Sequence, residues 1–219
     1  MGFVRTPPIG RRRFVLGGAA AVGSAPLLLG CRAGAEGAAL QATPAQTRGP
    51  FYPSAFPPDT DNDLVVLRGW EARAEGVVTH IAGRVLTADG KPLPGARVEV
   101  WQCDARGVYL HPGDGRREAR DTAFQGFGRA VAGADGGYSF RTIRPVAYPG
   151  RTPHIHFAVD APGRAELVTQ MYVAGEPGNE RDGIYRRLGA RQAAVTVRLD
   201  GADGIEAGAL AGRFDIVLA

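Results

Sequence analysis

The chain has 219 residues, 44% of them apolar and 22% charged, which suits a packed soluble domain and excludes a disordered one. Its formal charge of +4 is accounted for by Arg5, Arg11, Arg12 and Arg13, because residues 1–31 hold no other charged side chain. The remainder is neutral, and no basic helix or aromatic-interleaved patch gives nucleic acid a footing.

The first expected element is an address rather than fold. GRRRFVLGGAAAVGSAPLLLGC places arginines before a short apolar run, then small residues and a cysteine, the order of an export signal. Arg11–Phe14 reads as a twin-arginine signal, and the LLGC ending at Cys31 as a lipobox with Cys31 the lipidated residue. The apolar run from Phe14 to Leu29 is shorter than the about 20 residues of a membrane helix. The expectation is an exported periplasmic or cell-envelope lipoprotein that meets a membrane only through its lipid. Cys103 would then be the one thiol left, so no internal disulfide is expected.

Residues 32–47, rich in Ala and Gly, read as a flexible tether. RGPFYPSAFPPDTDNDL is too rich in proline for a helix or a central strand and reads as an extended arm laid over the domain. From Gly76 the texture is β. GVVTHIAGRVL, ARVEVWQCD, GADGGYSFRTI, HIHFAVD, LVTQMYV, AAVTVRL and GRFDIVLA read as short strands, and RDGIYRRLG as a helical turn. With 32 glycines and 16 prolines, turns are frequent and long helices few. No internal repeat appears. The fold class is all-β, a sandwich of short strands over residues 48–219.

The chemistry concentrates in YPGRTPHIHF, Tyr148–Phe157. Strand side chains alternate, so His154 and His156 share a face about 7 Å apart at Cα, close enough for both imidazoles to reach one ion, while Ile155 and Phe157 point to a core. The pair alone also reads as an exposed His-x-His. Tyr148 precedes it, and Tyr109 stands in DARGVYLHP. A phenol ionises only beside a strong Lewis acid or a positive charge, and ferric iron is such an acid; each tyrosine alone also reads as a packed aromatic. Cys103, with no basic neighbour in sequence, reads as a core residue.

RGPFYP, GRVLTADGKPLPGARVEVWQCDARGVYLHP, GGYSFRTIRPVAYPGRTPHIHF, LVTQMYV and the terminal RFDIVL together resemble the intradiol ring-cleavage dioxygenases, most closely the branch of the protocatechuate 3,4-dioxygenase β subunit. The likeness runs from about Arg48 to Leu218. It implies the transthyretin-like core of that family and a non-haem Fe(III) ion held by Tyr109, Tyr148, His154 and His156. Tyr148 and Arg151 would be catalytic, and Arg151 and Gln170 would face the substrate. It also implies a catechol-type substrate, cleaved with O2 between its two hydroxyl-bearing carbons to a muconate-type diacid; the family's sandwich usually pairs through its N-terminal arm, which leaves both a homo-oligomer and a second subunit open. His111 falls outside that ligand set. Only six positions separate Tyr148 from His154, fewer than in the protocatechuate enzymes, which implies a more open pocket. The competing expectation is an exported transthyretin-like binding module without redox activity, which would hold no iron.

Overall fold

The structure is a computed structural model describing residues 39–219. The expected signal, Cys31 and the start of the tether lie outside the described residues. Ten strands follow in order: β1 (Val78–Thr87), β2 (Arg97–Trp101), β3 (Phe127–Val131), β4 (Gly137–Ile143), β5 (His154–Asp160), β6 (Leu167–Val173), β7 (Thr196–Val197), β8 (Asp200–Gly201), β9 (Leu210–Arg213) and β10 (Ile216–Leu218). The single α-helix, α1 (Gly183–Arg186), has one turn, and three 3-10 turns complete the regular structure among the described residues. No helix of the described residues is long and apolar enough to cross a membrane.

The strands form two five-stranded sheets. In one, β1 carries β4 antiparallel, β10 and β9 parallel, and β8 lies beyond β9. The other runs β3-β2-β5-β6-β7. Alternation sends Ile81, Val85, Tyr138 and Phe140 of the first sheet against Val98, Val100, Ile155, Phe157 and Met171 of the second, and this is the core. The outer face of the second sheet is also covered. Trp101, Cys103, Tyr109, Phe127 and Ala158 form a second apolar cluster there, with Phe51, Tyr52 and Tyr148 packed against it.

The covering comes from the N-terminal arm and the loops after β2 and β4. Tyr52 Oη donates to Glu99 Oε2 at 2.7 Å, and Arg48 lies 4.4 Å from the centre of the Tyr52 ring. Residues 39–47, the described part of the expected tether, run along the domain. Leu40 N donates to Ala88 O, Thr43 N to Val217 O and Gln46 N to Val168 O, so backbone groups there find partners in the sheets.

Two expected strands differ. AAVTVRL begins inside the 3-10 turn Gly189–Val195, and only Thr196 and Val197 pair, beside Tyr172 and Val173. GRFDIVLA breaks into β9 and β10, because the carbonyl of Phe214 crosses over Gly83 and Asp215 Oδ1 accepts from Arg84 N. A Cβ on Gly83 would lie 1.8 Å from Phe214 O, so the crossing requires glycine. The expectations also omitted β3, whose FGRAV segment alternates too weakly to read as a strand.

Candidate metal centre

The site lies on the outer face of the second sheet, and strand register assembles it. Trp101 of β2 pairs with His156 of β5, His156 with Gln170 of β6, and His154 with Tyr172. These side chains therefore lie side by side on one face. Both histidines are buried, and the Trp101 indole stacks on His156 with centroids 4.7 Å apart and planes at 9°.

Two loops bring in the phenols. After β2, Asp104 accepts from the N–H groups of Arg106 and Val108, closing the turn into Tyr109. Asp114 Oδ2 then accepts from Tyr109 N at 2.9 Å, and Phe51 of the arm stacks on the Tyr109 ring at 4.7 Å. After β4, Tyr148-Pro149-Gly150-Arg151 is a tight turn, with Arg151 N donating to Tyr148 O at 2.9 Å. Pro149 at its second position and Gly150 with φ +80° at its third suit a type II turn. The turn sets Tyr148 and Arg151 at its two ends, beside the histidine strand. The Tyr148 ring lies 5.4 Å from Tyr109 and 5.5 Å from His154, and Tyr109 lies 6.2 Å from His156, measured between centroids.

The protonation of the imidazoles follows from their partners. His154 Nδ1 is 2.6 Å from Thr152 O, and a carbonyl only accepts, so Nδ1 carries the hydrogen and Nε2 presents a lone pair. His154 Nε2 is 3.2 Å from His156 Nε2. Burial, reinforced by Arg151, lowers the His154 pKa to about 3, and burial with the His154 and Arg151 charges holds His156 well below its usual value. Both rings are neutral. His156 Nδ1 and Tyr109 Oη are buried without a hydrogen-bond partner. If His156 carries its hydrogen on Nδ1, two lone pairs face each other across 3.2 Å. If it carries it on Nε2, a bare Nδ1 is buried with no donor. A cation between the Nε2 atoms removes the first conflict, and the separation suits two ligand bonds of about 2 Å.

No three His, Cys, Asp or Glu side chains gather around an ion among the described residues, so a metal here would draw on the phenols as well. Burial raises both phenol pKa values, Tyr109 well above the usual value, with Arg151 opposing the rise at Tyr148. Unaided they stay protonated, so binding as phenolates needs a strongly acidic cation. The donor set therefore fits a trivalent hard ion.

Arg151 and Gln170 complete one wall. Arg151 Nε donates to Asp182 Oδ2 at 2.8 Å and its Nη2 to Gln170 Oε1 at 2.5 Å. Gln170 Nε2 donates to Thr47 O at 2.9 Å, which fixes the amide with its oxygen towards Arg151. Tyr172 Oη donates to Gln46 Oε1 at 2.8 Å. Asp182 is also the N-cap of α1, accepting from Ile184 N and Tyr185 N, and it accepts from Thr152 N.

The structure thus brings Tyr109, Tyr148, Arg151, His154, His156 and Gln170 together. His111 lies at the margin, edge-on to Phe51 with its Nδ1 accepting from Gly113 N. His80 is on the other sheet, paired with Glu206. Cys103 is buried in the second cluster, and burial pushes its thiol to about 12. Sequence reasoning missed Asp182, Tyr172, Asp114 and Trp101. Asp182 alone had a local mark, standing just ahead of a helical turn; the others depend on register and loop closure.

Comparison with known proteins gives the same grouping. The family model described as Dioxygenase matches residues 47–219. The chain is similar to the protocatechuate 3,4-dioxygenase beta chain of Burkholderia cepacia, with 39% identity over 72% of this chain and 71% of that one. It is similar to the hydroxyquinol 1,2-dioxygenase of Nocardioides simplex, with 34% identity over 66% of this chain, and spans about half (52%) of that relative's length. The solved dioxygenase domain of a dioxygenase carbohydrate-binding protein fusion from Streptomyces sp. SirexAA-E aligns with TM-score 0.62 and 34% identity, covering 81% of this chain and 98% of that one. By the match over residues 47–219 and by these relatives, the chain belongs to the intradiol ring-cleavage dioxygenase family.

Proposed function

We propose that the protein is a non-haem Fe(III) dioxygenase that cleaves a catecholic ring between its two hydroxyl-bearing carbons with O2, giving a muconate-type diacid. The observation that carries this reading is the pair of neutral imidazoles with Nε2 atoms 3.2 Å apart, flanked by two phenols. Tyr109, Tyr148, His154 and His156 would hold the iron. Bound there, ferric iron would supply the Lewis acid for a chemistry in which a diol ring meets O2.

The residues do the rest. The Tyr148 phenolate oxygen takes a proton from the incoming diol and keeps the site near constant charge. Tyr148, at the end of the exposed turn, is half-buried, whereas Tyr109 is fully buried with its ring stacked on Phe51 and its backbone N–H held by Asp114. Arg151, held by Asp182 and Gln170, places a fixed guanidinium beside the ring to stabilise negative charge as it develops. Thr152 O keeps His154 in the tautomer with Nε2 available.

Oxygen uptake by iron-loaded protein against a panel of catechols, with product spectra, tests the activity. Stoichiometric uptake with a muconate-type product supports it, and iron-loaded protein that consumes no oxygen with any catechol overturns it. As a separate part of the proposal, residues 1–31 export the folded protein and Cys31 is lipidated; replacing Arg12 and Arg13 by Lys should leave it in the cytoplasm.

A further inference from the structure

A second cavity lies apart from the candidate metal centre. Its volume of about 470 Å³ holds one ring with a short side chain. Pro57, Pro58, Leu67, Trp70, Leu110 and Phe124 supply its apolar lining, and no member of the imidazole and phenol cluster borders it. Hydrogen bonds hold both walls in shape. In the arm, Arg68 N donates to Asp59 Oδ2 at 2.7 Å and Trp70 N to Leu67 O at 2.9 Å, so the chain doubles back and brings the indole to the cavity. In the loop after Leu110, Asp121 N donates to Asp104 Oδ2 at 2.7 Å and Ala123 N to Asp121 Oδ1 at 2.9 Å, which fixes the stretch that carries Arg120 and Phe124. Trp70 stays 52% exposed, a large aromatic surface that the fold does not cover. Three charged residues border the cavity. Asp59 and Arg68 answer each other: besides their backbone bond, Arg68 Nη2 lies 3.7 Å from Asp59 and 3.3 Å from Asp61. Arg120 is half-buried, donates from Nη1 to Phe124 O at 3.2 Å, and has no acidic partner among the described residues. The carbonyl holds the guanidinium at the cavity wall without neutralising it.

We infer that this cavity is a second binding site, which takes a planar aromatic carboxylate with its anion on Arg120 and its ring against Trp70 and Phe124. The site is independent of the ring-cleavage reading. A guanidinium presents a planar fork of N–H groups that matches a carboxylate, and Arg120 has donors left once Nη1 is spent on Phe124 O. The ring covers the open indole, and aromatic pairs gain more than the area they bury. A neutral aromatic leaves the one unanswered lining charge as it was. An aliphatic acid answers that charge and forgoes the ring contacts. The ligand needs no diol, because the phenols and imidazoles do not border the cavity.

The test is calorimetric binding of trans-cinnamate, cinnamamide and octanoate to the full chain. Cinnamamide keeps the ring and the shape and drops the charge; octanoate keeps the charge and drops the ring. At low salt cinnamate should bind about tenfold more tightly than cinnamamide, the range of a hydrogen bond to a charged group, and the margin should shrink as ionic strength rises. It should bind about fivefold more tightly than octanoate. Arg120→Gln should bring cinnamate and cinnamamide to equal affinity, Arg120→Lys should keep part of the preference, and Trp70→Ala should weaken both aromatic probes alike. Unchanged melting temperatures would show that the variants fold. The inference is overturned by cinnamate that does not bind, that binds no better than cinnamamide or octanoate, or that binds Arg120→Gln and Trp70→Ala as tightly as the unaltered protein. Each of these results leaves the ring-cleavage reading standing, because neither residue belongs to the metal centre.

Discussion

Asp182 shows how much one side chain carries here. Its carboxylate caps α1, bonds the N–H of Thr152 and faces the guanidinium of Arg151, all while buried. Asp182→Asn keeps an oxygen for the cap but leaves Arg151, only 14% exposed in its side chain, without a counter-charge. Removing one partner of such a pair costs about 3 kcal/mol, so chemical denaturation should show a loss of that order. Arg151→Gln combined with Asp182→Asn should restore part of it, and a full double-mutant cycle measures the coupling. At the imidazoles, His156→Ala would leave Trp101 without its stacking partner and the site without one nitrogen. The variant should fold but retain under a tenth of the iron of the unaltered protein, as read by metal analysis after dialysis.

At the level of elements, the turn Tyr148–Arg151 and the strand pair β5–β6 divide the work. The strands set the imidazoles and Gln170 by register, and the turn adds the phenol and the guanidinium. Gly150 has φ +80°, a conformation that costs a residue with a Cβ about 1 to 2 kcal/mol. Gly150→Ala should therefore lower stability by that order and lower kcat for a catechol more than it raises KM, since it displaces groups beside the reacting ring; steady-state kinetics with a melting curve checks both. Gly83→Ala belongs to the other sheet. Its Cβ would collide with the Phe214 backbone, so stability should fall by about 3 kcal/mol while iron content per folded protein is retained. Most strands were legible because alternation marks them: HIHFAVD and LVTQMYV coincide with β5 and β6. The β9–β10 break was not legible, because its cause is a carbonyl crossing a glycine 131 positions earlier in sequence. In the site, the histidine pair was visible from spacing alone. The tyrosines were singled out from the residues as candidate donors and given their ligand roles through resemblance, Arg151 and Gln170 were reached through resemblance alone, and Asp182, Tyr172 and Trp101 through neither, because cross-strand register and loop closure put them there.

For the molecule as a whole, burying two neutral histidines makes stability depend on pH. The folded state keeps the His154 pKa near 3 and His156 well below its usual value, whereas the unfolded chain takes up protons near 6.5. Stability of the iron-free protein is therefore unaffected by these groups above about pH 6.5 and falls as pH drops below it, approaching about 1.4 kcal/mol per pH unit for each histidine. Denaturation midpoints between pH 7 and 5 check this, and His154→Gln should flatten the slope. Iron should oppose the same loss, because it binds the lone pairs that protonation would take. The central claim is that two phenols and two imidazoles surround one ferric ion. The visible spectrum of protein loaded with one equivalent of ferric iron tests it most directly. A burgundy charge-transfer band that shifts in Tyr148→Phe and in Tyr109→Phe is the predicted result, and a colourless protein with its iron bound would contradict it.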